Sequence, residues 1–360
     1  MRHADVAAIQ DSGARGVHRA RMTDSASALR RLILGLRTTQ LIAVAAQLGI
    51  ADALHETPRS ATELADELCV DADALRRLLR ALARLGVFAE TDDGRIAHTP
   101  LSEPLRGDAE RSLRDVAQLY GAPWLWHAYG ELLHSVRSGR PAFERAHGQP
   151  FYDYLDAHPT AAEQFNRAMS SFTAHEVAAL AAACDVADAG TVVDVGGGHG
   201  ALMAALLQRH PRLRGIVFER ADVVEGARRT LADAGLAARC VCIAGDFFER
   251  VPGGADAYLL KSVLHNWRDD DALRILRACR RAMAPGARLL IAERVIAPGA
   301  AGAEAALFDI NMMITVGGQE RSAAEYGALL GAAGLKLQCT TATTSPLCVI
   351  EATMATSVRG

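Results

Sequence analysis

The stretch TVVDVGGGHG at residues 191–200, followed directly by ALMAALLQRH, constrains the fold more than any other feature of the chain. Its first five residues are mostly β-branched and predict a buried strand, whereas the residues after the glycines favour a helix. Such a turn brings bare backbone close to a ligand, because glycine has no Cβ. The N-terminus of the helix then presents unpaired N–H groups. The pattern therefore predicts a ligand-binding turn at residues 196–200.

Two classes of cofactor fit this turn. Gly196, Gly198 and Ala201 match the G-x-G-x-x-G/A pattern of dinucleotide sites. Gly196, Gly198 and Gly200 match the G-x-G-x-G pattern of S-adenosylmethionine (AdoMet) sites. Asp194 favours AdoMet, because a carboxylate suits the ammonium group of a methionyl end and repels a pyrophosphate. A tight turn that binds nothing is a weaker hypothesis, since four glycines fall within five residues.

Length and composition exclude several classes of protein. The 360 residues are half hydrophobic, which fits two domains with a sizeable core, and the net charge of −3 gives no general attraction to nucleic acid or anionic membranes. The seven cysteines are irregularly spaced, so we expect no disulfide framework and a cytoplasmic location. No apolar run is long enough to cross a bilayer. Residues 1–28 are expected to form a flexible tail.

The next segment predicts a helical domain. Residues 29–54 form an apolar helical pattern that must be buried or pack on a partner chain. Ser60 and Glu63 form a capping box, an amphipathic helix follows, and Asp93-Gly94 marks a hairpin. Helix, helix and hairpin in this order are typical of a winged helix.

This winged-helix pattern leaves two hypotheses open. A DNA-binding module could use the arginines of the second helix to meet phosphates. A helical interaction module, with its arginines balanced by nearby acids, is the hypothesis we favour, because the chain is acidic overall and a catalytic-looking domain follows. The arginines are Arg76, Arg77, Arg80 and Arg84.

Residues 110–183 are predicted to be helical and carry most of the aromatic side chains of the chain. Core packing and a pocket for a flat ring explain this concentration about equally well. After Cys184 the pattern changes to alternating strands and helices, with strands predicted at 215–219, 238–248, 255–267 and 287–296 and an antiparallel pair at 335–343 and 345–353. This alternation predicts a doubly wound parallel sheet of the α/β class, with ligands beyond the carboxyl ends of its strands.

Charged residues follow the predicted strands where such a ligand would bind. Glu219 can accept both ribose hydroxyls, and Asp246 and Phe247 can meet an adenine. Lys261 and His265 are four residues apart on the predicted fourth strand, so they should face the same side. Three aspartates at 269–271 suggest a metal site, but acids that begin a helix are what its dipole favours, so we predict no metal.

Four motifs occur in order along the chain: DVGGGHG, GDFF, LLKSVLHNWRDDDALRILRACRRAMAPGARLLIAE and GGQERSAAEYGALLGAAG. Together they resemble the caffeate-type small-molecule O-methyltransferases of plants and bacteria, from about residue 29 to the C-terminus. The resemblance implies a class I AdoMet-dependent methyltransferase fold, Rossmann-like with a C-terminal antiparallel hairpin, which forms S-adenosylhomocysteine as product. It also implies that the winged-helix-like domain serves homodimerisation. We therefore divide the chain into a tail (1–28), a dimerisation domain (29–108), a helical pocket region (109–183) and a catalytic domain (184–360).

The resemblance also assigns residues to roles. Those matching cofactor-binding positions are Gly196, Gly198, Glu219, Asp246, Phe247 and Lys261, to which the residue argument adds Asp194. His265 matches the general base, flanked by Glu293 and Glu320, although each glutamate could instead pair with a neighbouring arginine. Those matching the pocket of an aromatic, hydroxylated substrate are Phe165, Met169, Trp267, Met312 and Met313. Two departures are Glu219-Arg220-Ala221 where the family has Asp-Leu-Pro, and Asn266 where it has aspartate.

We therefore predict a cytoplasmic, homodimeric enzyme that methylates a hydroxyl of an aromatic secondary metabolite and binds neither nucleic acid nor membrane. Alternatives are methylation of a heteroaromatic ring nitrogen, a relative that has lost methyl transfer, a winged-helix regulator and an NAD enzyme. His265 argues against loss of methyl transfer.

Overall fold

A computed structural model describes residues 25–54 and 57–355. Most of the predicted tail, residues 1–24, lies outside the described residues. The chain divides into two compact units, the first ending at Ala122 and the second beginning at Pro123. In the described part of the chain no helix is long and apolar enough to cross a membrane.

The first unit is mostly helical. The predicted helix at 29–54 is interrupted at Leu34 and again at Gly49, whose φ of 70° closes the helix before it. The predicted capping box is confirmed, with Ser60 Oγ accepting from Glu63 N at 3.2 Å and Ser60 N donating to Glu63 Oε2 at 2.7 Å. The elements are α1 (Gly35–Leu48), α2 (Ile50–Leu54), α3 (Ala61–Leu68), α4 (Ala72–Arg84), β1 (Ala89–Glu90), β2 (Ile96–Ala97) and α5 (Arg114–Tyr120). Helices and a hairpin thus follow in the predicted order.

The first compact unit extends past residue 108 to Ala122, because α5 packs on α1, and the domain boundary at residue 108 stays a prediction. Gln118 donates to the carbonyl of Ala46 at 3.1 Å. Gly121 lies so close to α1 that a Cβ there would be 2.1 Å from Ala43 Cβ. These contacts tie residues 114–121 to the first unit, whereas the helices of 123–183 belong to the second.

The second unit contains a seven-stranded sheet preceded by helices. Its helices before the sheet are α6 (Pro123–Gly130), α7 (Leu132–Ser138), α8 (Ala142–His147), α9 (Phe151–Ala157) and α10 (Pro159–Ala183). The rest comprises β3 (Thr191–Val195), α11 (Ala201–Arg209), β4 (Arg214–Glu219), α12 (Val224–Asp233), β5 (Cys240–Ala244), β6 (Ala257–Lys261), α13 (Asp269–Ala282), β7 (Arg288–Glu293), α14 (Ala303–Thr315), α15 (Ala323–Ala332), β8 (Leu335–Ala342) and β9 (Cys348–Met354).

The strand order β5-β4-β3-β6-β7-β9-β8 confirms the predicted doubly wound sheet and its terminal hairpin. The first five strands in this order are parallel, and β9 pairs antiparallel with β7 and β8. Val193 packs in a cluster with α13 and α15, whereas its neighbour Val192 packs with α10 and α11. Alternate strand residues therefore bury opposite faces of the sheet, and the carboxyl ends of β3, β4 and β6 meet at one edge.

The structure differs from the sequence prediction in the end of one strand and in one additional helix. The fourth strand was predicted over 255–267, but β6 ends at Lys261 because Ser262 takes a φ of 54°, which a strand cannot accommodate. His265 therefore lies in a turn and not on the strand face that it was predicted to share with Lys261. Helix α14 was not predicted, because its sequence is apolar on more than one side, with Leu307 exposed and Ile314 buried.

Candidate active site

The glycine turn after β3 has the backbone that its sequence requires. Gly196, Gly198 and Gly200 all have positive φ, between 54° and 76°, where a Cβ would cause strain. A Cβ at Gly196 would also lie 2.9 Å from Val263 Cγ2. The side chain of Glu219, at the end of β4, accepts a hydrogen bond from Gly198 N at 2.9 Å. The turn is thus held by the neighbouring strand end, and the backbone of its three positive-φ positions favours glycine.

A cavity of about 610 Å³ opens beside this turn. Its lining includes Asp194, the glycines at 196–198, Lys261 and, from α10, Phe165 and Met169. Asp194 is buried, and its Oδ1 has no hydrogen-bond partner among the described residues. Burial raises the pKa of Asp194 to about 7, with the negative charge of Glu219 adding to the shift. A buried acceptor aimed into a cavity fits the ammonium group of AdoMet.

The other predicted cofactor residues do not line the cavity. Glu219 holds the turn, and its other oxygen accepts from Arg220 N at 2.8 Å. Asp246 is exposed and accepts from Phe248 N at 2.8 Å, whereas Phe247 packs edge-on against Trp267. The cofactor roles of Glu219, Asp246 and Phe247 stay predictions.

The predicted substrate residues divide in the same way. Phe165 and Met169 line the cavity. Trp267 does not line it and instead contacts Phe247 and Phe248. Met312 and Met313 lie in α14, also outside the lining, and Met312 is buried. Trp124, Phe143, Phe151 and Tyr154 pack against one another in a hydrophobic cluster, whereas Tyr152 joins Phe165 in the cavity lining, so core packing and a pocket each account for part of the aromatic segment.

His265 lies in a one-turn 3₁₀ helix just beyond β6. The turn is held by Glu293 at the end of β7, whose Oε1 accepts from Leu264 N at 2.8 Å and from His265 N at 3.3 Å. Gln319 N donates to the His265 carbonyl at 2.8 Å, and a Cβ on Gly318 would lie 2.0 Å from that carbonyl oxygen. Two separate segments, the end of β7 and the loop at residues 318–319, therefore fix the backbone of His265.

The ring of His265 faces two carboxylates. Its Nδ1 lies 2.8 Å from Glu320 Oε1 and 3.3 Å from Glu293 Oε2, and all three side chains are buried. Burial alone would lower the pKa of His265, but the charge of Glu293 and the hydrogen bond to Glu320 outweigh it, so this pKa lies above the ordinary value of 6.5. The arrangement places the Nδ1 proton of His265 in the hydrogen bond to Glu320 and leaves Nε2 as the basic nitrogen.

The neighbouring arginines have other partners, so the hypothesis that each glutamate pairs with a local arginine does not describe the site. Arg321 bonds Asp269 Oδ1 at 2.9 Å and the carbonyls of Leu264 and Trp267. Arg294 approaches Glu176 of α10 at 3.7 Å. Sequence reasoning missed Glu176 entirely, because nothing in α10 distinguishes it from a surface glutamate.

One group among the described residues offers the chemistry of a metal site. His265, Glu293 and Glu320 place one ligand atom each within 4.8 Å of one another. Hydrogen bonding already accounts for this arrangement, and the absence of a metal stays a prediction.

The chain matches two family models. The O-methyltransferase domain covers residues 129–336, and the O-methyltransferase dimerisation domain covers residues 30–106. A relative from Streptomyces lavendulae, mitomycin biosynthesis 6-O-methyltransferase, is 44% identical over 308 residues, which cover 85% of this chain and 88% of the relative. The chain therefore belongs to the O-methyltransferase family.

Solved structures agree with this assignment. The mitomycin 7-O-methyltransferase MmcR has a TM-score of 0.85 and 41% identity, covering 94% of this chain and all of that chain. The O-methyltransferase NcsB1 of neocarzinostatin biosynthesis, solved with AdoMet and 2-hydroxy-5-methyl naphthoic acid, has a TM-score of 0.75 and 35% identity, covering 88% and 96% of the two chains. The protein is an AdoMet-dependent O-methyltransferase with a class I fold.

Proposed function

We propose that this enzyme methylates a hydroxyl group of an aromatic secondary metabolite, with His265 as general base. The observation that carries the proposal is the buried contact of His265 Nδ1 with Glu320 and Glu293, just beyond the strand whose last residue, Lys261, lines the AdoMet cavity. The known relatives support an aromatic acceptor, since their names refer to mitomycin, phenazine and hydroxynaphthoate substrates.

AdoMet supplies an already activated methyl group on a sulfonium. The protein has two tasks, which are to hold the acceptor oxygen in line and to remove its proton. An unperturbed phenol has a pKa near 10, so little phenolate exists at neutral pH. His265 Nε2 accepts the proton as the oxygen attacks, and the resulting imidazolium is compensated by the two glutamates at Nδ1.

The lining of the cavity indicates which residues would bind the cofactor and the acceptor. Asp194 and Lys261 bind the polar end of the cofactor, with Glu219 holding the glycine turn under it. Phe165 and Met169 present an apolar wall to the aromatic ring of the acceptor. Trp267, Met312 and Met313 remain predicted members of the acceptor pocket.

A screen of hydroxylated aromatics with methyl-labelled AdoMet tests the function. We expect label on oxygen in at least one phenol, naphthol or hydroxyphenazine, with no label on the matched compound whose hydroxyl is already methylated. Matched anilines and ring-nitrogen heterocycles are screened in parallel to detect methylation of nitrogen. Label found only on nitrogen would replace the proposal with N-methylation.

We further propose that the first unit joins two copies of the chain. It matches the dimerisation model, and four large aliphatic side chains near its start are more than half exposed. These are Leu29, Leu32, Ile33 and Leu36, at 58%, 78%, 63% and 53% exposure. Apolar side chains grouped in this way are typical of an interface.

Leu32→Asp combined with Leu36→Asp should convert the dimer to a monomer in analytical ultracentrifugation, because two charges would be buried without partners. Val241→Asp is the control, since Val241 is 60% exposed on the edge strand β5. A doubly substituted protein that still sediments as a dimer would place the interface elsewhere.

A further inference from the structure

Glu176 of α10 is an acid buried between two cations. It is 3% exposed, and its Oε2 lies 2.7 Å from Lys261 Nζ. Its Oε1 lies 3.7 Å from Arg294 Nη2. The side chains of Lys261 and Arg294 are only 15% and 6% exposed. A carboxylate with one oxygen toward each of two buried cations is costly to assemble and must be compensated by its contacts.

Lys261 and Arg294 contact different parts of the site. Lys261 lines the AdoMet cavity and also lies 3.4 Å from Thr173 Oγ1, one turn before Glu176 on the same helix. The guanidinium of Arg294 lies 4.0 Å from the centre of the Phe308 ring, which stacks against the ring of His265 at 6.1 Å. Glu176 therefore stands between the cofactor cavity and the base.

The positive charge of the cofactor indicates a role for Glu176 at this position. AdoMet carries a positive sulfonium, and a buried cation on the cavity wall repels it strongly because the surroundings screen weakly. Asp194 lines the same cavity but serves the ammonium end. Without Glu176, Lys261 and Arg294 would lose the buried carboxylate that lies between them, and Lys261 lines the cavity that takes the cationic ligand.

We propose that Glu176 is a positioning residue that holds Lys261 and Arg294 and offsets their charge, so that the site accepts a sulfonium. The inference rests on the AdoMet-dependent function proposed above. It extends that function to a residue of α10, the helix that also supplies Phe165 and Met169 to the cavity wall. Helix α10 thus supplies both the wall that contacts the acceptor and the carboxylate that offsets the positive charge near the cofactor.

Comparison of AdoMet with S-adenosylhomocysteine tests the proposal, because the two ligands differ in the charge on sulfur. In the full-length Glu176→Gln protein, calorimetry should show AdoMet affinity falling about tenfold further than S-adenosylhomocysteine affinity. Glu163→Gln is the control, since Glu163 is an exposed glutamate of the same helix paired with Arg167. Equal losses for the two ligands would overturn the proposal and leave Glu176 a purely structural residue.

Two further variants keep the test decisive if Glu176→Gln folds poorly. Glu176→Asp retains the charge and should keep the wild-type ratio of the two affinities. Glu176→Gln with Lys261→Met removes one charge of each sign, so its affinity ratio should return toward the wild-type value. A ratio in this double variant that stays shifted toward S-adenosylhomocysteine would contradict charge compensation. Failure of the wild-type protein to bind either ligand would instead contradict the proposed function.

Discussion

His265→Gln is expected to lower kcat about 10²–10⁴-fold at neutral pH, the usual contribution of a general base. Glutamine fills a similar volume and can still donate to Glu320, but it cannot accept the proton of the acceptor hydroxyl. AdoMet affinity should change little, because His265 does not line the cofactor cavity. The measurement is single-turnover methyl transfer with an acceptor from the screen, alongside cofactor titration.

The pH dependence gives a second readout of the same substitution. His265 must be neutral to accept a proton, and the glutamates raise its pKa above 6.5. The wild-type rate should therefore fall as the pH drops through a midpoint above 6.5. In His265→Gln this acid limb should disappear, and the rate should rise with pH toward the pKa of the acceptor, as phenolate forms without help.

A matched substitution separates a specific loss from a general one. His134→Gln changes a histidine of α7 whose ring bonds Ser138 of the same helix, and it should leave both profiles unchanged. If His265→Gln kept most of the neutral-pH rate with an un-ionised phenol, the enzyme would work by proximity alone, and the base assignment would fail.

Local signals predicted much of the framework. The β-branched run and glycines of 191–200 produced the expected strand and turn, because positive φ at three nearby positions can be met only by glycine without strain. The capping box at Ser60 and the acids that begin α13 marked helix starts correctly, since these signals lie within one turn of their targets.

The arrangement around His265 depended on contacts that sequence spacing does not encode. The apolar pattern predicts a strand that continues through His265, but the positive φ of Ser262 ends it. The turn that follows is built by Glu293 and by the loop at Gly318, which are 28 and 53 residues away along the chain. Arg294 follows Glu293 in the sequence, whereas the fold brings it to Glu176, 118 residues earlier in the chain.

Asp194→Asn should weaken AdoMet binding about 10–100-fold at pH 8, because it removes a charged acceptor for the ammonium group. The Oδ1 of Asp194 has no hydrogen-bond partner among the described residues, so an ammonium group there would be the main contact of this acceptor. S-adenosylhomocysteine carries the same ammonium group and should lose a similar factor. This equal loss distinguishes Asp194 from Glu176, whose substitution should affect AdoMet more.

The pH dependence of cofactor affinity follows from the same carboxylate. Burial and the charge of Glu219 raise the pKa of Asp194 to about 7, so without ligand it is half protonated near pH 7. An ammonium group nearby favours the ionised form, so binding releases a proton, and affinity should fall up to tenfold per pH unit below about 7. Calorimetry in buffers of different ionisation enthalpy should detect this proton in the wild type and in Asp188→Asn, an exposed control, but not in Asp194→Asn. Proton release that persists in Asp194→Asn would assign the titrating group, and with it the ammonium contact, to another residue.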